Sequence, residues 1–176
     1  GKKYYILNTS STPYNLEFMD IDNCIKEYDP KLHDELFEEA DAAIFLDLNS
    51  INRTVRIENQ FKKFKGIKIC LDHHTEPENF AEFQIIDESM SSTGELIYDF
   101  ITNVEGIELN EEIALAIYSA ILTDTGSFRF SKTTPMVHKK VSTLLEYGLL
   151  PEEIYDKIYA QYEFSRIQLL GDALSS

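Results

Sequence analysis

Three segments of the sequence follow an apolar run with carboxylate or imidazole side chains. They are residues 42–47, which end in Asp47; residues 67–74, which end in Asp72, His73 and His74; and residues 121–126, which contain Asp124. Ligands of open α/β sheets collect at the carboxyl ends of the strands, so the first two groups would lie side by side if their strands are neighbours. A single aspartate at a strand end is usually a turn former or a helix cap. Two adjacent histidines have no such ordinary role, and three such ends in one small domain favour a metal site.

The predicted donor set also indicates which metal and which chemistry. Carboxylates combined with imidazoles, without a thiolate motif, suit Mn²⁺ or a similar divalent cation better than a structural zinc ion. Two such cations a few ångströms apart can hold a phosphate oxygen, activate a water molecule and stabilise the charge of the pentacovalent state. The residue types are therefore compatible with metal-assisted hydrolysis of a phosphate ester.

The elements that must position these residues are strands followed by helices. Continuous apolar runs predict strands that are buried on both faces, at residues 4–7, 42–46, 67–71 and 83–86. Apolar periodicity predicts helices at residues 34–40, 55–64, 93–102, 111–122, 134–147, 151–162 and 164–174. This order predicts an α/β fold of three α/β/α layers with a mostly parallel sheet and a helical C-terminal half.

Length and composition exclude several classes of protein. The 176 residues, 43% of them hydrophobic, can form one domain with a packed core. No apolar run approaches the roughly 20 residues that cross a bilayer, so we expect no membrane association. Cys24 and Cys70 form no disulfide or metal motif, and we interpret them as small buried hydrophobic residues of a reduced, cytoplasmic protein.

The net charge of −15 limits the partners of the chain. An acidic surface repels a long phosphate backbone, which argues against non-specific binding of DNA or RNA by this chain alone. A small anionic substrate is compatible with this charge if bound cations or a separate basic module reverse the local field.

Four motifs of the sequence together resemble a known family. Residues 71–74, Leu-Asp-His-His, resemble the motif that names the DHH phosphoesterases, and residues 123–128, Thr-Asp-Thr-Gly-Ser-Phe, resemble the family's fourth motif. Asp47 followed by Arg53 is similar to the second motif, and residues 91–96 are similar to the helix opening after the DHH strand. The similarity covers essentially the whole chain, and it is strongest to the NrnA-like branch of oligoribonucleases and phosphoadenosine-phosphate phosphatases.

The resemblance implies a role for each site residue. Asp47 would bridge two metal ions, and His73 and Asp124 would be ligands of the second ion. His74 would face the scissile phosphate, Asp72 would orient an imidazole, and Arg53 would contact phosphate or form a surface ion pair. The implied cofactor is two Mn²⁺ ions, with Mg²⁺ or Co²⁺ as alternatives. The implied substrates are short oligoribonucleotides, 3′-phosphoadenosine 5′-phosphate or cyclic dinucleotides, and a homodimer is compatible with the sequence.

Two parts of the family pattern are not found in this sequence. The family's first metal motif, His-x-x-x-Asp-x-Asp, and its C-terminal substrate-binding domain would lie before and after these residues. We therefore expect residues 1–176 to be a partial catalytic domain without the first strand and helix, with little activity alone. The alternative hypothesis is a non-catalytic member of the fold that serves as a binding or assembly module.

Overall fold

The computed structural model describes residues 2–161 and 164–175, and its first half is built of short strands and helices. The strands are β1 (Ile6–Asn8), β2 (Ile25–Glu27), β3 (Ala42–Leu46), β4 (Ile67–Asp72) and β5 (Phe83–Ile86). The helices of this half are α1 (Pro30–His33), α2 (Leu36–Glu39) and α3 (Glu58–Lys63), with 3₁₀ helices at Tyr14–Met19 and Ile51–Ile57.

The second half is helical. Its helices are α4 (Thr93–Asn103), α5 (Glu111–Asp124), α6 (Pro135–Leu145), α7 (Pro151–Tyr159) and α8 (Phe164–Ser175). The α/β class and the helical C-terminal half predicted from the sequence are confirmed. The helix predicted at residues 151–162 ends at Tyr159, and Tyr162 lies outside the described residues.

All strand pairings in the described residues are parallel. β3, β4 and β5 form one sheet in that order, while β1 and β2 form a separate pair. Leu46 of β3 pairs with Leu71 of β4, so these two strands end at the same edge of the sheet. The residues that follow them, including Asp47, are therefore neighbours, as the sequence predicts.

The two faces of the three-stranded sheet differ in burial. Phe45 is buried and packs edge-on against Phe61 and Phe80, with ring centroids 4.6 and 5.2 Å apart. Side chains alternate between the faces of a strand, and the opposite face exposes five large apolar side chains. These residues, which we call the apolar sheet face, are Ile44, Leu46, Ile67, Phe83 and Ile85.

The main apolar core lies among the helices of the second half. Helices α5, α6 and α7 contribute its central side chains, including Ile121, Val137 and Ile154. Helix α4 packs closely on α5 at Gly94. A Cβ atom added to Gly94 would lie only 2.6 Å from the Cβ atom of Ala120. Since α5 ends at Asp124, this core fixes the position of one predicted site residue.

Two further predictions concern the membrane and the cysteines. Of the helices in the described ranges, none is long and apolar enough to span a bilayer. Cys24 and Cys70 are both free thiols, and Cys70 is fully buried, as predicted, whereas Cys24 is only half-buried. Burial and the nearby charge of Asp72 raise the pKa of Cys70 to about 11, so its thiolate is not available as a nucleophile at neutral pH.

Candidate metal centre

Asp47 stands directly after β3 in a left-handed backbone conformation, with a φ of 63°. Aspartate tolerates this conformation better than most residues. The Asp47 amide donates to the carbonyl of Leu71 (3.1 Å), which holds the residue beside β4. The Thr93 hydroxyl at the start of α4 donates to Asp47 Oδ1 (2.8 Å) and fixes the carboxylate.

His73 lies between two carboxylates. Its Nε2 atom is 3.5 Å from Asp47 Oδ1 and 3.4 Å from Asp124 Oδ2, and the side chain is only 12% exposed. Its Nδ1 atom is 3.4 Å from the carbonyl oxygen of Met90, slightly longer than an ordinary hydrogen bond. A hydrogen on Nδ1 that points at this carbonyl leaves the Nε2 lone pair facing both carboxylates.

His74 is held by the buried carboxylate of Asp72. The His74 Nδ1 and Asp72 Oδ1 atoms are 2.7 Å apart, a distance typical of a charge-assisted hydrogen bond. Asp72 is fully buried, and its Oδ2 atom has no hydrogen-bond partner within the described residues. His74 Nδ1 also lies 3.9 Å from Asp47 Oδ1, so this imidazole belongs to the same cluster. The contact with Asp72 has the geometry that the predicted orienting role requires.

Asp124 approaches the cluster from the last residue of α5. Burial, reinforced by the negative charge of Asp47, raises the pKa of Asp124 above its ordinary value. The charged form of this carboxylate is therefore destabilised by its surroundings in the metal-free protein. A cation between the two carboxylates would relieve this penalty.

A left-handed turn follows Asp124 and ends the helix. Gly126, Ser127 and Phe128 all have positive φ angles of 56°, 60° and 64°. The turn closes on Thr125, whose hydroxyl accepts a hydrogen bond from the Phe128 amide (3.0 Å). Because its backbone amides donate to carbonyl oxygens of α5 and to Thr125, the turn terminates α5 at the site.

Arg53 is not brought into this cluster by any described contact. Its guanidinium Nη1 donates to Asn49 Oδ1 (3.3 Å), and the residue is exposed. Across residues 2–161 and 164–175 it forms no ion pair, so the surface ion pair considered from the sequence is not found there. Its contact with a substrate phosphate stays a prediction.

The arrangement fits a divalent cation. Asp47, His73 and His74 each offer a ligand atom, and these atoms lie within 4.8 Å of one another. Asp124 extends the cluster, since its Oδ2 atom is 3.4 Å from His73 Nε2. Adjacent ligands of a cation with metal–ligand bonds of about 2.1 Å stand about 3 Å apart, so small movements would complete a site. A cation would stabilise carboxylate and imidazole groups that face one another at these distances.

Two contributors to the site were missed by sequence reasoning. The run at residues 93–95 predicts a helix cap, but the cap is Ser92, whose hydroxyl accepts a hydrogen bond from the Glu95 amide (3.0 Å). Thr93 instead bonds Asp47, a role that no local signal indicates. The basic run of His138, Lys139 and Lys140 within a predicted helix indicates a solvated basic face. That interpretation is wrong for Lys140, which is only 7% exposed and paired with acidic side chains, whereas the other two are exposed.

The parallel sheet of this chain carries carboxylate and imidazole side chains at the ends of β3 and β4. Residues 3–121 match the family described as "DHH family, N-terminal domain", and the chain belongs to this family. Among curated relatives, it is 36% identical over 112 residues to the bifunctional oligoribonuclease and PAP phosphatase NrnA of Thermus thermophilus. It is 31% identical over 125 residues to the protein of the same name from Bacillus subtilis.

These matches cover only part of the relatives. They include 64% and 69% of this chain but 34% and 39% of the two NrnA proteins. A crystal structure of an exopolyphosphatase-related protein from Bacteroides fragilis is similar over 98% of this chain and 52% of its own, with a TM-score of 0.89 and 32% identity. The chain thus spans a third to a half of the proteins it resembles.

Proposed function

We propose that this chain forms most of the catalytic domain of a cytoplasmic phosphoesterase that uses two Mn²⁺ ions to hydrolyse phosphate esters of short nucleotides. The observation that carries the proposal is the position of His73 Nε2, which lies within 3.5 Å of carboxylate oxygens from Asp47 and Asp124. Such a group of acceptors at a sheet edge, in a member of this family, is suited to hold a cation. Mg²⁺ and Co²⁺ are the alternative ions for the same donors.

Each residue of the cluster has a role in this proposal. Asp47, His73 and Asp124 would hold metal, with Asp47 as the ligand common to both ions, and its Oδ1 atom lies 3.5 Å from His73 Nε2. When bound, the two ions supply charge stabilisation and an activated water for attack on phosphorus. Asp72 holds the Nδ1 atom of His74, which leaves the other ring nitrogen free for the substrate phosphate. Arg53 is a weaker candidate for a phosphate contact.

The charge of the chain and its relatives support the choice of substrate class. The net charge of −15 disfavours long nucleic acids, whereas a short nucleotide can be attracted locally by the bound cations. Relatives at 31% and 36% identity are named for activity on oligoribonucleotides and PAP. Short oligoribonucleotides and 3′-phosphoadenosine 5′-phosphate are therefore the first substrates to test, and cyclic dinucleotides are the next.

The proposal is tested with the natural full-length protein, a dinucleotide RNA and 3′-phosphoadenosine 5′-phosphate. We expect hydrolysis with Mn²⁺ and none after EDTA treatment. His73→Ala and Asp124→Ala should abolish turnover because each removes a ligand, while His138→Ala, on the exposed side of α6, should retain it. Full activity in EDTA would exclude the metal mechanism. Tight Mn²⁺ binding without turnover of any of the nucleotides would instead favour the binding or assembly module.

A further inference from the structure

One short segment before α4, residues 90–93, contacts two of the proposed metal ligands. The Thr93 hydroxyl donates to Asp47 Oδ1 at 2.8 Å, and the Met90 carbonyl oxygen lies 3.4 Å from His73 Nδ1. Groups that hydrogen-bond to metal ligands fix the orientation of those ligands and tune metal affinity. The position of this segment therefore controls the geometry of the cluster.

The segment is held in place by the side chain of Glu95. Glu95 Oε2 accepts hydrogen bonds from both the amide and the hydroxyl of Ser91, each at 2.8 Å. In return, the Ser92 hydroxyl accepts a hydrogen bond from the Glu95 amide at 3.0 Å. This resembles a capping box, except that the carboxylate reaches Ser91, the residue before the N-cap. Ser91 and Ser92 are both buried, so these bonds have little competition from water.

The other carboxylate oxygen of Glu95 is bound from a distant helix. Lys140 of α6 donates to Glu95 Oε1 at 2.9 Å and to Asp99 Oδ2 at 2.7 Å. Glu95 and Lys140 are only 4% and 7% exposed. Burial acts to raise the pKa of Glu95, but the hydrogen bonds from Ser91 and Lys140 outweigh it and hold the pKa below its usual value. Both carboxylate oxygens are therefore charged and engaged.

A buried ion pair of this kind adds little to the stability of the fold, but it fixes the positions of its side chains. The cost of removing two charges from water roughly cancels their attraction, and apolar residues of the same volume often stabilise a fold as well or better. A buried carboxylate whose two oxygens have separate donors, however, is restricted to one geometry. Here the donors are Ser91 on one side and Lys140 on the other.

We infer that Lys140 and Glu95 are positioning residues for the metal centre. Lys140 fixes Glu95, Glu95 fixes residues 91 and 92, and these place Thr93 and the Met90 carbonyl against Asp47 and His73. The inference rests on the proposed function, because it takes Asp47 and His73 as metal ligands. It assigns a site role to a lysine on α6 that lies 45 residues from its carboxylate partner in the sequence.

The test measures Mn²⁺ affinity of the natural full-length protein by titration calorimetry. Thr93→Val, which removes only the hydroxyl, should raise the Mn²⁺ Kd by about 10- to 100-fold, whereas Thr93→Ser should change it by less than about threefold. Lys140→Met and Glu95→Gln should each raise the Kd by about tenfold. Lys139→Met is the matched control on the exposed side of α6, and it should bind Mn²⁺ like the parent.

A double-mutant cycle shows whether Lys140 acts through Thr93. Lys140→Met added to Thr93→Val should raise the Kd by less than about threefold beyond Thr93→Val alone, because the two residues act along one path. A Lys140→Met protein that melts at a lower temperature yet binds Mn²⁺ with the parent Kd would overturn the inference and leave Lys140 a purely structural residue. If Lys140→Met does not fold, parental Mn²⁺ affinity in Glu95→Gln overturns it equally.

Failure of this inference is distinguishable from failure of the proposed function. Mn²⁺ affinity is measured without any nucleotide, so a parent protein that binds Mn²⁺ but hydrolyses nothing refutes only the enzymatic role. Unchanged affinities in an active parent refute only the positioning role. A parent protein that binds no Mn²⁺ refutes both.

Discussion

The contact between Asp72 and His74 gives the sharpest test of how the site is organised. Asp72 is fully buried, its Oδ1 atom is 2.7 Å from His74 Nδ1, and its Oδ2 atom has no partner in the described part of the chain. Asp72→Asn keeps the size and shape of the side chain but removes its charge. The charge-assisted hydrogen bond therefore becomes a neutral one, while the packing is retained.

The expected loss follows from the two kinds of hydrogen bond. A bond to a charged group contributes about 1.5 to 3 kcal/mol and a neutral one about 0.5 to 1.5 kcal/mol. The difference of about 1 to 2 kcal/mol corresponds to a fall of about 5- to 30-fold in kcat/KM if His74 contacts the reacting phosphate. Asp72→Ala removes the whole bond and should cost about 10- to 150-fold.

The assay is steady-state hydrolysis of a dinucleotide RNA with saturating Mn²⁺, together with thermal melting. Because Asp72 is a buried and incompletely paired carboxylate, Asp72→Asn should melt no lower than the parent. The matched control is Asp41→Asn, an exposed aspartate just before β3 at the opposite end of the sheet, which should leave kcat/KM unchanged. Parental kcat/KM in a folded Asp72→Asn protein would show that Asp72 does not orient His74 for the reaction.

Three further predictions concern stability and association. Asp124→Asn should raise the Tm of the metal-free protein at pH 7. The pKa of Asp124 is raised in the folded protein, so stability is lost as the pH rises from 3.8 through the folded pKa, and the asparagine avoids this loss. An unchanged Tm would contradict this. Gly126→Ala should destabilise the protein by about 1 to 2 kcal/mol, because its φ of 56° disfavours a Cβ atom; a chemical denaturation curve superimposable on the parent's would argue against strain there. The 176-residue chain should self-associate through the apolar sheet face, and Ile44→Lys with Phe83→Lys should shift it toward monomer in size-exclusion chromatography with light scattering. A monomeric parent chain would refute that idea.

The sequence predicted those elements that have a strong local pattern. β3 and β5 were predicted at their observed residues from short apolar runs, and α4 and α5 within two residues of their observed ends from apolar periodicity. β2 was missed because its three residues, Ile25–Glu27, include two charged side chains and form no apolar run. Residues 34–40 were predicted as one helix but contain only the short α2.

The residues of the site were predictable only where a motif or the order of the strands determines their position. Asp47 and His73 come together because parallel strands end at one edge, a rule that needs only the order of the elements. Thr93 and Lys140 could not be found in this way. Their partners lie 46 and 45 residues away in the sequence, and no spacing rule connects a hydroxyl of α4 with β3 or an ammonium of α6 with α4. Such contacts are set by how helices pack on the sheet, which local patterns do not specify.

The position of Asp124 as the last residue of α5 has an electrostatic consequence. The peptide dipoles of an α-helix add up to about half a negative charge at its C-terminus, and α5 is a 14-residue helix that ends at the cluster. A carboxylate at this end adds to a field that is already negative, instead of opposing it. The backbone itself therefore helps to attract a cation. Neutralising Asp124 would remove the charge of its carboxylate but leave this part of the field in place.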